Sequence, residues 1–95
     1  MNIQDFTNSF SKPIATNKIL RANASTILLE IASGAVLKEH QSMTEALLIL
    51  ISGAVVYEEE DRSVELKEIM DFVQIPAQLT HRVRGLKNSR LLLIQ

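Results

Sequence analysis

The sequence predicts an all-β domain, a sandwich or a barrel, on three observations. Eight or nine short apolar segments are separated by turn signals at intervals of about eight to ten residues, a spacing typical of sandwiches and barrels. No segment carries a convincing helical repeat. Hydrophobic residues make up 46% of the chain but aromatic ones only 4%, so the core must rest on Leu, Ile and Val.

Ninety-five residues fill one domain and no more. The core of so short a chain is thin, and a partner subunit would thicken it. The formal net charge is -1, and the ten Lys and Arg residues are scattered rather than gathered into a phosphate-binding face, so no nucleic-acid partner is expected. The absence of cysteine removes disulfides, thiolate metal sites and a cysteine nucleophile together. The N-terminus holds Asp5 and no apolar core, unlike a signal peptide. The longest uncharged apolar stretch, 46–57, is too short to cross a bilayer and is broken by Ser52-Gly53, so no membrane role and a cytoplasmic location are expected.

Residues 1–17 read as an N-terminal arm whose Phe6, Phe10 and Ile14 pack on the body, with Pro13 excluding a long helix. Residues 18–95 read as a single barrel domain. ILRA (19–22) is its first strand. In STILLEIA (25–32), Ile27, Leu29 and Ile31 share one face and Thr26 and Glu30 the other, as in a half-buried strand. Ser33-Gly34 turns the chain into AVLKEHQS (35–42). EALLILIS (45–52) is apolar on both faces, so one faces the interior and the other needs a second sheet or a second subunit. AVVYEE follows, and EEEDRS (58–63) reads as a solvated hairpin tip. SVELKE (63–68) turns Val64 and Leu66 inward, and DFVQIP (71–76) ends at Pro76. HRVRGL (81–86) sets His81 and Val83 on one face against Arg82 and Arg84, and SRLLLIQ (89–95) is the last strand.

Two stretches resemble the paired motifs of the cupin superfamily. The first motif runs Gly, five residues, His-x-His, three or four residues, Glu, six residues, Gly. Gly34, AVLKE, His40-Gln41-Ser42, MTE, Ala46, LLILIS and Gly53 keep that spacing, with Ser42 at the second His and Ala46 at the Glu. The second motif runs Gly, five residues, Pro-x-Gly, two residues, His, three residues, Asn. Met70, Pro76, Gln78, His81 and Gly85 fall on its positions, with Pro76 and His81 retained. The resemblance covers residues 34–85 and implies a cupin-like double-stranded β-helix, or jelly-roll barrel.

Cupins with intact motifs hold a divalent transition metal with three histidines and a glutamate. The resemblance carries over only His40 and His81, one ligand short of a catalytic site. Glu45 sits one residue before the glutamate position, and on a strand that shift turns it to the opposite face. A Ser42 hydroxyl is a poor ligand, and Lys38 shares parity with His40 but can reach solvent at the rim. No metal or other cofactor is therefore expected. The reading is a non-catalytic barrel that binds a small molecule or acts through protein contacts, with His40, Ser42 and His81 lining a pocket walled by Leu48, Leu50 and Val83. A homodimer is expected from the doubly apolar strand and the small size. The alternative is a metal-dependent dioxygenase or isomerase running on His40 and His81.

Overall fold

A computed structural model of the chain describes residues 2–7, 9–21, 25–40 and 43–95, with Leu20, Arg21, Glu39 and His40 followed along the backbone only. Among the described residues, one short 3-10 turn (Ile3–Phe6) precedes nine strands. These are β1 (Ile14–Arg21), β2 (Ser25–Ile31), β3 (Val36–His40), β4 (Ala46–Ser52) and β5 (Val55–Glu59), then β6 (Ser63–Leu66), β7 (Phe72–Ile75), β8 (His81–Gly85) and β9 (Ser89–Ile94). They form a five-stranded sheet in the order β1-β2-β9-β4-β7 and a four-stranded sheet in the order β3-β8-β5-β6. Every pairing is antiparallel. This is the all-β jelly roll that the strand spacing predicts.

Alternation along the strands decides what the two sheets bury. Leu29 and Ile31, Ala46, Leu48 and Leu50, Val73 and Ile75, and Leu91 point in from the larger sheet; Val55, Tyr57, Leu66 and Val83 meet them from the smaller one. Each is under a tenth exposed, and the pairs Leu29–Leu91 and Leu91–Leu50 lie in register across the larger sheet. Residues directly opposite in a sheet share a face, so a register once set puts all of these side chains inside together.

The first strand is longer than the sequence suggests. β1 begins at Ile14, inside the segment read as an arm, because Ile14 and Thr16 pair with Ile31 and Leu29 of β2 and the Pro13 carbonyl accepts the Ala32 N–H at 2.9 Å. The outer face of the larger sheet also departs from expectation. Glu30, placed by alternation on a half-exposed face, is 1% exposed. Its carboxylate accepts from Arg90 Nε at 2.9 Å, and the Arg90 guanidinium lies 4.8 Å from the centre of the Phe10 ring. The Phe6 carbonyl accepts from Asn17 Nδ2 at 2.6 Å, close to the neighbouring Leu28, which is also buried. Phe6 and Phe10 thus meet the β1 and β9 part of this face. The β4–β7 half stays open, with Ile69, Met70 and Phe72 exposed.

Backbone conformation supports the motif alignment independently. All four positions where the cupin pattern has a turn glycine have a positive φ: Gly34 (80°), Gly53 (90°), Met70 (78°) and Gln78 (61°). Two of them have lost the glycine and kept the left-handed turn, which disfavours any residue with a Cβ. At Gly53 the space is closed as well. A Cβ there would run into the Asn88 carbonyl and Ser89 Oγ, with Ser89 Cα at 2.7 Å. The buried Ser89 hydroxyl accepts the Ala54 N–H at 2.9 Å and so fixes this turn against β9.

Candidate functional site at the barrel mouth

The inner face of the smaller sheet changes character along its length. Toward one end, Leu66, Val55 and Gly85 are in register, and the next row holds Val64, Tyr57, Val83 and Leu37. The last row is polar. Glu59 pairs with His81, and His81 pairs on its other side with His40. Arg62 closes the row at the β5–β6 hairpin, where its carbonyl accepts the Glu59 N–H at 2.8 Å. The two motif histidines are therefore brought opposite each other by strand register, as the spacing predicts.

His81 is 4% exposed. Its Nδ1 lies 3.1 Å from the Leu79 carbonyl, which can only accept, so Nδ1 carries a hydrogen. The ring sits 5.6 Å from that of Tyr57. The Tyr57 hydroxyl, on the same inner face two residues before Glu59, donates to Glu59 Oε2. Arg62 grips the same carboxylate through a fork, Nε to Oε1 at 2.7 Å and Nη2 to Oε2 at 2.8 Å. Its Nη2 also reaches the Gln74 carbonyl of β7 at 2.7 Å, and its guanidinium stands 5.5 Å from the Tyr57 ring centre. Arg62 thereby ties the hairpin of one sheet to the edge strand of the other.

The charges respond to this packing. The Arg62 hydrogen bonds, helped by Tyr57 and by nearby positive charge, outweigh burial and hold the Glu59 carboxyl below the usual glutamate range. Burial, reinforced by Glu59, pushes the Tyr57 hydroxyl well above the usual tyrosine value. Neighbouring Glu58 faces outward and is met by Arg82 at 3.1 Å and Arg84 at 3.9 Å.

A cavity of about 490 Å³ opens beside this row, lined by Glu58, Glu59, Glu60, Gln78, Leu79, Thr80, His81 and Arg82. Of the pocket residues expected from sequence, His81 lines it. The His40 backbone stands opposite His81, and Ser42 lies outside the described residues. Leu48, Leu50 and Val83 are each 1% exposed and belong to the interior cluster that also holds Tyr57, rather than to the lining of this cavity. Glu45 is exposed and borders a second cavity of about 610 Å³ together with Arg62, Pro76 and Gln95, which His81 does not line. Lys38 is exposed.

Sequence reasoning missed Tyr57, Glu59 and Arg62. The acidic run reads as a solvated tip, yet Val55, Tyr57 and Glu59 share the parity of the core, which was the available signal.

Among the described side chains, the donor set does not fit the divalent ion of intact cupins. His81 is oriented as a metal-ligating histidine would be. However, both oxygens of the adjacent carboxylate are already taken by Arg62, and among the described residues no three His, Cys, Asp or Glu side chains converge. No helix among the described residues is long and apolar enough to cross a membrane.

No protein-family model matches the chain, and no curated protein matches its sequence. Solved structures do match its shape. A cupin-2 domain containing protein from Shewanella frigidimarina superposes with a TM-score of 0.83 at 16% identity, covering 100% of this chain and 92% of that one. A cupin superfamily protein from Desulfitobacterium hafniense gives 0.81 at 19% identity, over 86% and 75% of the two chains. KdgF from Halomonas sp. gives 0.77 at 19% identity, over 86% and 78%. Strand order, left-handed turns at the four motif positions and these superpositions agree: the chain has the cupin fold.

Proposed function

We propose that this chain binds a small organic molecule at the barrel mouth and carries out no chemistry on it. The observation that supports this is the cavity beside His81. Its volume falls in the range of small-molecule sites, and its lining is largely polar, while Leu48, Leu50 and Val83 belong to the interior cluster. With Glu58 and Glu59 balanced by this chain's own arginines, an uncharged polar ligand bearing hydroxyl or amide groups suits the cavity beside His81. His40, whose backbone pairs with His81, and Ser42, which lies outside the described residues, are proposed as further contacts. The committed Glu59 carboxylate weighs against the metal-dependent dioxygenase or isomerase reading.

Thermal-shift screening of uncharged polyols, sugars and amides tests this. A compound that raises the melting temperature of the wild type and loses its effect in His81→Ala supports the reading. Binders that are indifferent to His81 overturn it, as does one equivalent of transition metal carried by the untagged protein and lost in His81→Ala. The open β4–β7 face, with Phe72 and Met70, is proposed as the seat of a homodimer. Sedimentation of Phe72→Glu against the wild type checks it: two subunits in the wild type and one in the variant are expected.

A further inference from the structure

We propose that Arg62 is the resident cation of the barrel mouth: its guanidinium occupies the carboxylate of Glu59, the acid paired in register with His81, and so denies it to a divalent ion. The fork on Glu59 uses both carboxylate oxygens, at 2.7 and 2.8 Å, leaving neither free to turn toward a metal. The third anchor, on the Gln74 carbonyl at 2.7 Å, pins the guanidinium from the opposite sheet, so it cannot swing away without also breaking the link between β6 and β7. Tyr57 flanks it by ring face and by the shared carboxylate. An arginine does not lose its proton in this pH range, so the balance it supplies is permanent, unlike that of an exchangeable ion. Glu58, the next acid at the cavity, is likewise met by Arg82 and Arg84. His81, with Nδ1 committed to a backbone carbonyl, retains the orientation of a ligand beside a carboxylate that is no longer available.

Removing the guanidinium should therefore open the carboxylate to a metal. The test follows the melting temperature of untagged wild type, Arg62→Met, Arg62→Lys and the Glu59→Gln/Arg62→Met double variant, each with and without excess Co(II). The expected pattern is no Co(II) response in the wild type, in Arg62→Lys or in the double variant, and a rise of roughly 5 °C or more in Arg62→Met. A variant that folds only when Co(II) is present supports the proposal equally. Co(II) stabilisation of the wild type that is lost in Glu59→Gln overturns it, as does an Arg62→Met protein that ignores Co(II), folded or not. Arg62 plays this part whatever molecule enters the neighbouring cavity, so failure to bind an organic ligand and failure to exclude Co(II) are separate outcomes.

Discussion

Glu30 and Glu59 each have a largely enclosed side chain gripped by an arginine, and they differ in what lies beyond the pair. Glu30 is sealed. It sits on the outer face of the larger sheet, its partner Arg90 is capped by the Phe10 ring, and the pair joins residues sixty positions apart. Glu59 is on the inner face of the smaller sheet, three residues from its partner, and borders open space. The first pair holds the N-terminal segment to the body. The second leaves its carboxylate and a buried histidine at the edge of a cavity, where chemistry or binding can use them. Burial of a charge is thus not itself a sign of function; access beside it is the better guide.

Breaking the sealed pair should be the most damaging change. Arg90→Met leaves the Glu30 carboxylate without its cation in a dry setting and should cost about 3 kcal/mol in urea unfolding, with Glu30→Gln/Arg90→Met recovering most of it. Arg62→Met should lose less, about 1–2 kcal/mol, because Arg62 is 42% exposed and water in the cavity can solvate the freed carboxylate. Equal losses at the two sites would erase the distinction drawn between them.

Acid sharpens the same contrast. The folded state holds Glu59 ionised below the usual glutamate range, so the unfolded chain takes up the proton first. The stability this supplies is complete above about pH 4.3 and is lost as pH falls toward the depressed value. A Glu59→Gln protein, compared with the wild type by urea midpoints across pH 2–6, should lack that part of the acid sensitivity.

The smallest effects are expected at the turns. Met70→Gly and Gln78→Gly should each stabilise by about 0.5–1 kcal/mol by relieving a left-handed backbone. Only Gln78→Gly should also weaken a ligand at the mouth, since Gln78 lines the cavity and Met70 does not. Chemical denaturation and the thermal-shift assay separate the two responses.

Local signals carried most of the fold. Alternation in 25–32, 45–52 and 81–86 and the turns at Gly34 and Gly53 placed β2, β4 and β8 almost to the residue, because period-2 burial is written in neighbouring side chains. What escaped depends on contacts between distant segments. The polar start of β1 is a strand only because β2 offers it partners, and Glu30 is buried only because Phe10 and Arg90 arrive over it. At the site, the pairing of positions 40 and 81 across β3 and β8 was legible from spacing. Glu59 and Arg62 were hidden in a run of charges whose usual fate is solvent, although the parity of Tyr57 and Glu59 already pointed inward.

The position of β9 has a consequence for how this protein is made. It follows every other strand in the sequence, yet it lies between β2 and β4. On the ribosome, the emerging chain therefore carries two unsatisfied strand borders that no earlier segment fills. The larger sheet zips shut only when residues 89–94 clear the exit tunnel, so both borders stay open until the last strand arrives.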